Sequence, residues 1–250
     1  MKKILFLAAI SASLFACTKD TATNNTSTAS YLTLYSVVYP SGDSGAHSIG
    51  YDGNNNVVRV SGYTKGKTGT VDSGSFYFNF SAGSILPVSY TMVYRKNFYT
   101  AASISNHNLY YDSKNRLVTD TTIGTASVTR FTYLGDTILA NSFSQTRIVL
   151  ADTIFLKNGN VMSTISYING STTNTDHSWG ASAYTSYVSP LYNQTVSSSL
   201  GALFIHENFG DFLSKNWQDF GPSAPITFDK SGRISKQTLT DGTRIAFTYK

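Results

Sequence analysis

The chain has 250 residues, of which 41% are apolar and 14% aromatic, enough for the core of one large all-β domain or two small ones. Only 13% are charged, about half the usual globular share, and a single Glu, Glu207, stands against thirteen Asp. Glu, Lys and Arg normally populate exposed helix faces, whereas the 65 Ser and Thr, 17 Tyr and 15 Phe here suit strands and turns, so an all-helical protein is excluded. The pattern also lacks the helix–strand alternation of a doubly wound α/β enzyme.

Lys2 and Lys3 begin the chain, and Ile4 to Phe15 is an apolar stretch broken only by Ser11 and Ser13. It is shorter than the ~20 residues that span a bilayer and reads as a secretory signal. Leu14-Phe15-Ala16-Cys17 resembles a bacterial lipobox. That resemblance implies cleavage after residue 16 and acylation of Cys17, giving stable attachment through several acyl chains where one would be marginal. Cys17 is the only Cys, so an intrachain disulfide is excluded. Loss of residues 1–16 leaves 17 basic against 14 acidic residues and no Lys/Arg cluster, hence no electrostatic footprint for nucleic acid. Residues 18–30 are small or polar and read as a flexible tether. Cys17-Thr18-Lys19-Asp20 resembles the short Lys-plus-acidic signal that sends Bacteroidetes lipoproteins to the outer face of the outer membrane. The expected partner is outer-membrane lipid, held through acylated Cys17, with surface exposure favoured over the periplasmic face.

Residues 31–39 read as a strand and 40–50 as a Gly/Ser/Pro-rich loop. A seven-residue turn pattern then recurs: Tyr51-Asp52-Gly53-Asn54-Asn55-Asn56-Val57, Tyr111-Asp112-Ser113-Lys114-Asn115-Arg116-Leu117, Phe155-Leu156-Lys157-Asn158-Gly159-Asn160-Val161 and Phe228-Asp229-Lys230-Ser231-Gly232-Arg233-Ile234. Each ends a strand in an aromatic, turns, and starts the next with an aliphatic. The fifth position is Asn55, Asn115, Gly159 or Gly232, residues that tolerate positive φ, and Asp52, Asp112 and Asp229 at the second position can cap the turn. The copies are spaced too irregularly for a solenoid and read as recurrent hairpins in one sheet. Strands are expected at 75–80, 88–94, 126–133, 146–155 and 161–168, with Val161, Ile165 and Tyr167 on one face of the last. In the closing hairpin, Asp241-Gly242 is a two-residue turn signal, and Ile245, Phe247 and Tyr249 alternate with Arg244, Ala246 and Thr248.

Residues 170–224 break the pattern: 170–182 read as a loop, and the apolar spacing over 197–214 predicts a short helical cover on the apolar sheet face. The expected fold is therefore mainly β: a curled antiparallel meander sheet or partly closed β-barrel, with a short helical insertion covering one face. The expected division is a signal peptide at 1–16, a lipidated Cys and tether at 17–30, and one β domain at 31–250 with the insertion at about 170–224.

The lipobox, the Tyr/Phe-Asp-x-x-Gly/Asn-Arg-Leu/Ile turns, Tyr192 after Pro190-Leu191, Phe212-Leu213-Ser214-Lys215-Asn216 and the ending Phe247-Thr248-Tyr249 together resemble a Bacteroidetes lipoprotein family described as having a porin-like fold. The resemblance implies a curled antiparallel sheet and supplies no activity or catalytic residues. It does not imply a pore, because the strand patterns are interrupted by charged and polar residues and a lipid tether would be redundant on an integral barrel.

His47, His107, His177 and His206 are each more than 25 residues apart and have no Cys beside them, so no metal is expected, nor any other cofactor. No zincin, phosphate-loop or nucleophile-elbow motif is present. Asp136, Asp152, Asp176, Asp211 and Asp219 offer carboxylates with no basis for pairing any two, and no catalytic residue is nominated. Trp179, in a polar loop, with Tyr184, Tyr187 and Tyr192 after it, forms the candidate contact for a glycan or an envelope protein. The functional expectation is a lipid-anchored, non-enzymatic binding or structural module. Its alternatives are a surface glycan-processing enzyme or accessory protein and a periplasmic carrier of an apolar ligand. An empty apolar cavity favours the carrier, a close carboxylate pair the hydrolase, and a core filled by Leu203 and Phe204 the non-enzymatic module.

Overall fold

The computed structural model describes residues 31–97, 101–169, 175–177 (backbone only), 184–192, 200–203 and 213–250. Cys17, Trp179, Phe204, His206, Glu207, Asp211 and Phe212 lie outside the described residues. The strands in chain order are β1 Leu32–Val38, β2 Ser44–Tyr51, β3 Val57–Lys65, β4 Val71–Phe80, β5 Pro87–Arg95, β6 Ser103–Tyr111, β7 Leu117–Thr122, β8 Ser127–Leu134 and β9 Thr137–Ser144. They continue with β10 Arg147–Lys157, β11 Asn160–Ile168, β12 Thr175–His177, β13 Tyr184–Val188, β14 Asn216–Gln218, β15 Ile226–Phe228, β16 Ile234–Thr238 and β17 Arg244–Tyr249. Fifteen of them form one antiparallel meander, β12 to β1 in reverse sequence order followed by β17, β16 and β15. β13 and β14 pair separately. The fold is thus mainly β, an antiparallel meander with minor helical content, and its ladder is open at β12 and β15.

Two sequence expectations change at the first hairpins. Residues 40–50 are not all loop: β2 begins at Ser44 and pairs on both sides, because Ala46 and Ile49 supply buried positions that the Gly and Ser content obscured. The 170–224 segment contains strands at 175–177, 184–188 and 216–218 as well as a helical stretch at 200–203.

The turns follow one physical rule with one exception. In 52–56, 112–116 and 229–233 the second-strand carbonyl accepts the Asp N–H (Asp52 to Asn56, Asp112 to Arg116, Asp229 to Arg233). The fourth residue, at φ 64° (Asn55), 60° (Asn115) or 75° (Gly232), donates back to the Asp carbonyl. This is a three-residue loop closed by a left-handed residue, where Asn or Gly carries the least strain. The Asp carboxylate accepts two further turn N–H groups, as Asp112 Oδ1 does from Lys114 (2.9 Å) and Arg116 (3.0 Å). The exception is the third copy. It has Leu156 instead of the capping Asp, and it turns on Asn158 and Gly159 alone, both at positive φ, with Lys157 paired to Asn160. The closing hairpin also departs from expectation: the Leu239 N–H bonds Thr243 O, so the loop is Thr240–Gly242, with Gly242 at φ 87°, not a two-residue Asp-Gly turn.

At the start of β3, β5, β7, β11 and β16 the ladder slips by one residue. A bulge of this kind reverses which face the following residues occupy. In β11 the extra residue is Met162, so Val161 is fully buried while Ile165 and Tyr167 lie exposed on the other face. The expected single face of Val161, Ile165 and Tyr167 is corrected on that ground.

The inward face carries the core. Phe76, Phe78, Tyr90, Leu117, Phe131, Ile154 and Val161 are buried there, together with Leu191, Leu200, Leu203 and Trp217 from outside the main sheet. Leu203 has no exposed surface. Residues 213–220 join the two ends of the sheet. Ser214 Oγ accepts the Val161 N–H, the Lys215 N–H bonds Gly159 O, and the Asn216 N–H bonds Asn160 Oδ1, all on the β10–β11 hairpin. One residue on, the Trp217 indole N–H donates to Gln237 Oε1 of β16 at 2.7 Å, and its ring meets Phe247 of β17 edge-on. β11 and β16 are second and fourteenth in the fifteen-strand order. A chain segment of four residues spans at most ~14 Å, so the sheet must curl until its ends nearly meet.

Candidate functional site: the polar end of the inward face

The curled sheet has two unlike ends. At the end with the Asp-capped turns, strand starts and stops place Leu32, Val57, Leu117, Val161 and Ile234 inward, all buried. Tyrosines seal this rim by donating to neighbouring carbonyls: Tyr51 to Leu32, Tyr111 to Pro87, Tyr133 to Leu117, Tyr249 to Ile234. Burial raises all four phenols, those of Tyr133 and Tyr249 to about 12. Arg116 and Arg233 each pair with the Asp four residues before them and lie over Tyr133 and Tyr249, 4.4 and 4.3 Å from the ring centres.

The capping carboxylates set an acid limit. Asp52 is held below the usual carboxylate range first by the Asn56 side chain, Asp112 by the Arg116 N–H, and Asp229 by the Arg233 side chain. A carboxylate depressed in the folded state contributes stability that is complete above its unfolded pKa and disappears as pH falls through the folded one. The thermal midpoint is therefore expected to hold between neutrality and about pH 5 and to drop below about pH 4. Asp112→Asn is expected to melt lower at pH 7 and to lose less on acidification. A pH series of melting curves checks both.

The other end of the inward face is polar. Pairing places Gly62 with Gly74, Tyr94 with Ser103, Met92 with Ser105 and Ser127 with Ser144 on this face. His47 lies over Gly62, where a Cβ would come within 2.9 Å of its ring, and burial lowers its pKa. Ser103, Ser144 and Tyr94 are solvent-exposed, Tyr94 by 40%.

Between the two ends sits a buried polar network. His107 Nδ1 lies 2.9 Å from Asp120 Oδ1, and His107 Nε2 lies 2.8 Å from Ser105 Oγ. The Tyr90 hydroxyl donates to Asp120 Oδ2 at 2.6 Å and lies 3.0 Å from His107 Nδ1, while its ring stacks on the imidazole at 4.3 Å. Tyr90, His107 and Asp120 are buried and Ser105 half-buried. A carboxylate only accepts, so Nδ1 carries the proton and Nε2 is left to accept from the Ser105 hydroxyl. The arrangement is a serine, a histidine and a carboxylate in series, with a phenol holding the second carboxylate oxygen.

Of the residues nominated from the sequence, Tyr184, Tyr187 and Tyr192 fall elsewhere, and Trp179 lies outside the described residues. The Tyr184 hydroxyl bonds Val161 O and Ser214 Oγ, Tyr187 packs on Phe228 at 4.8 Å, and the Tyr192 N–H bonds Ser189 O. Of the five carboxylates weighed for a catalytic pair, Asp152 is buried and accepts from Ser166, and Asp219 caps the Gly221 N–H. Among the described residues no cluster of three His, Cys, Asp or Glu has metal-site geometry, and no helix is long and apolar enough to cross a membrane.

The fold thus defines an open, curled antiparallel meander with a filled apolar end and a polar end. No protein-family model and no curated protein matches the chain. Among solved structures it is similar to a porin-like protein from Bacteroides uniformis ATCC 8492, at 12% identity over 88% of this chain and 98% of that one, with a TM-score of 0.48.

Proposed function

We propose that the protein is a lipid-anchored module of the outer membrane, tethered through Cys17, whose polar inward end binds a neutral, hydroxyl-rich ligand such as a glycan. The observation that carries this reading is the split of one face into an apolar end filled by Leu200, Leu203 and Trp217 and a polar end of Ser, Thr, Gly, His47 and exposed Tyr94, with Arg147 at its edge opposite Ser144. The filled half speaks against a carrier of an apolar ligand. Small hydroxyl side chains beside an exposed aromatic supply hydrogen bonds and a stacking surface without charge. The outward face carries Arg59, Asn106 and Arg130 within strands, and Arg facing lipid at mid-bilayer costs about 2–4 kcal/mol, which favours a tether over an integral barrel. In this reading Trp179, Tyr184, Tyr187 and Tyr192 form a second contact surface, for an envelope protein.

The test uses the full chain in dodecyl maltoside on an array of neutral and acidic oligosaccharides, with acyl labelling run in parallel. The expected result is retention on neutral glycans, reduced at least about tenfold in Tyr94→Ala, and labelling abolished by Cys17→Ala. Equal retention by Tyr94→Ala sinks the assignment of the site, and an unlabelled Cys17 sinks the tether.

A further inference from the structure

The geometry points to Ser105 as a nucleophile, activated by His107 and positioned by Asp120, that cleaves short acyl esters at the polar end of the inward face.

Three features support this beyond a satisfied buried network. The contacts run through the atoms that general-base activation requires: Oγ to Nε2 at 2.8 Å on one side of the ring and Nδ1 to carboxylate at 2.9 Å on the other. Both distances lie within hydrogen-bond reach without substrate present. Exposure is graded in the order that catalysis needs, with Asp120 and His107 buried and Ser105 half-buried toward the open end. Finally, the ring is held from a third side. Tyr90 stacks on His107 and donates to Asp120 Oδ2, so neither group can rotate away from the other.

The chemistry closes with atoms supplied by the ester and water. Ser105 Oγ bonds to the acyl carbon as its proton passes to His107 Nε2 and the carbonyl electron pair moves onto oxygen. Collapse of that intermediate breaks the bond to the alcohol oxygen, which leaves with the proton from Nε2. Water then delivers its oxygen to the acyl carbon and one proton to Nε2, and Ser105 departs reprotonated. The products are an alcohol and a carboxylic acid. Asp120 stabilises the imidazolium formed in each half. In this scheme the hydroxyls of Ser103 and Tyr94, which the register places on the same face two residues beyond Ser105 and its partner Met92, donate to the negative carbonyl oxygen.

The small neighbours set the substrate class. Ser103, Thr122 and Gly74 share the face around Ser105, Met92 stands directly opposite it, and the described residues of the apolar half pack as a core. An acetyl-sized group is the expected acyl part.

The test uses the full chain in dodecyl maltoside. A fluorophosphonate probe is expected to label Ser105, located by peptide mass spectrometry, with the label absent in Ser105→Ala. Hydrolysis of p-nitrophenyl acetate should fall about 10²-fold in that variant. It should also outpace p-nitrophenyl octanoate in the unaltered protein. Asp120→Asn should lower kcat while leaving KM close to that of the unaltered protein. Melting curves establish that each variant is folded. A folded protein with no adduct at Ser105 and an unchanged rate in Ser105→Ala overturns the inference. In the unaltered protein, labelling at Ser105 without retention on any neutral oligosaccharide counts against the binding proposal alone, and retention without labelling counts against the nucleophile alone.

Discussion

Replacing Trp217 by Ala is expected to lower the free energy of unfolding by about 3–5 kcal/mol, the range for deleting a buried large aromatic. Domain stabilities lie at about 5–15 kcal/mol, so this single change would remove at least about a fifth of the total. Trp217 is 3% exposed and packs edge-on against Phe247, and its indole N–H satisfies Gln237, itself 2% exposed. The substitution therefore opens a void, leaves Gln237 Oε1 without its 2.7 Å donor, and detaches the β16–β17 end of the sheet from the segment that bonds β11. Trp217→Phe refills most of the volume but still leaves Gln237 Oε1 short of a donor, and is expected to cost about 1–3 kcal/mol. Urea denaturation of the three proteins separates the terms. A loss below about 1 kcal/mol for Trp217→Ala would show that the strap is not what holds the sheet ends together.

The second large effect is expected at Asp120. Its two oxygens take the His107 ring and the Tyr90 hydroxyl, and the carboxylate is 3% exposed. A buried hydrogen-bonding group left without its partner costs about 1–3 kcal/mol, because it loses that partner without regaining water. Asp120→Ala leaves both Tyr90 and His107 in that state. Asp120→Asn retains one acceptor and is expected to fall between the two. Paired with Tyr90→Phe in a double-mutant cycle, Asp120→Ala should show strong coupling, since both changes break the same 2.6 Å bond. Additive losses would mean that the phenol and the carboxylate contribute independently.

The sequence foresaw the closing hairpin's faces. Ile245 and Phe247 are buried and Arg244 and Thr248 exposed, as alternation of period two requires. It also located the left-handed positions at Asn55, Asn115 and Gly232, since few residue types sit there without strain. The polar network was harder to read. In β6, Ser105 and His107 alternate with the same parity as Leu109 and Tyr111, so an inward histidine was legible there. Its carboxylate was not. Counting back from the 112–116 turn without interruption sets Asp120 opposite Asn108, on the outward face. The extra residue Val118 moves it opposite Leu109, on the inward face beside His107.

Local interactions decided what the sequence determined: composition and alternation fixed an antiparallel sheet, and Asp, Asn and Gly fixed where most of it turns. Tertiary structure decided everything that depends on register and closure. One-residue bulges reversed the faces of β7 and β11. Four residues around Trp217 drew together strands far apart in the ladder. Tyr90, Ser105, His107 and Asp120 met because three strands aligned. Period-two patterning carries no record of an inserted residue, and propensity carries none of contacts between residues 13 to 56 positions apart, so neither the strap nor the network was written in the local pattern.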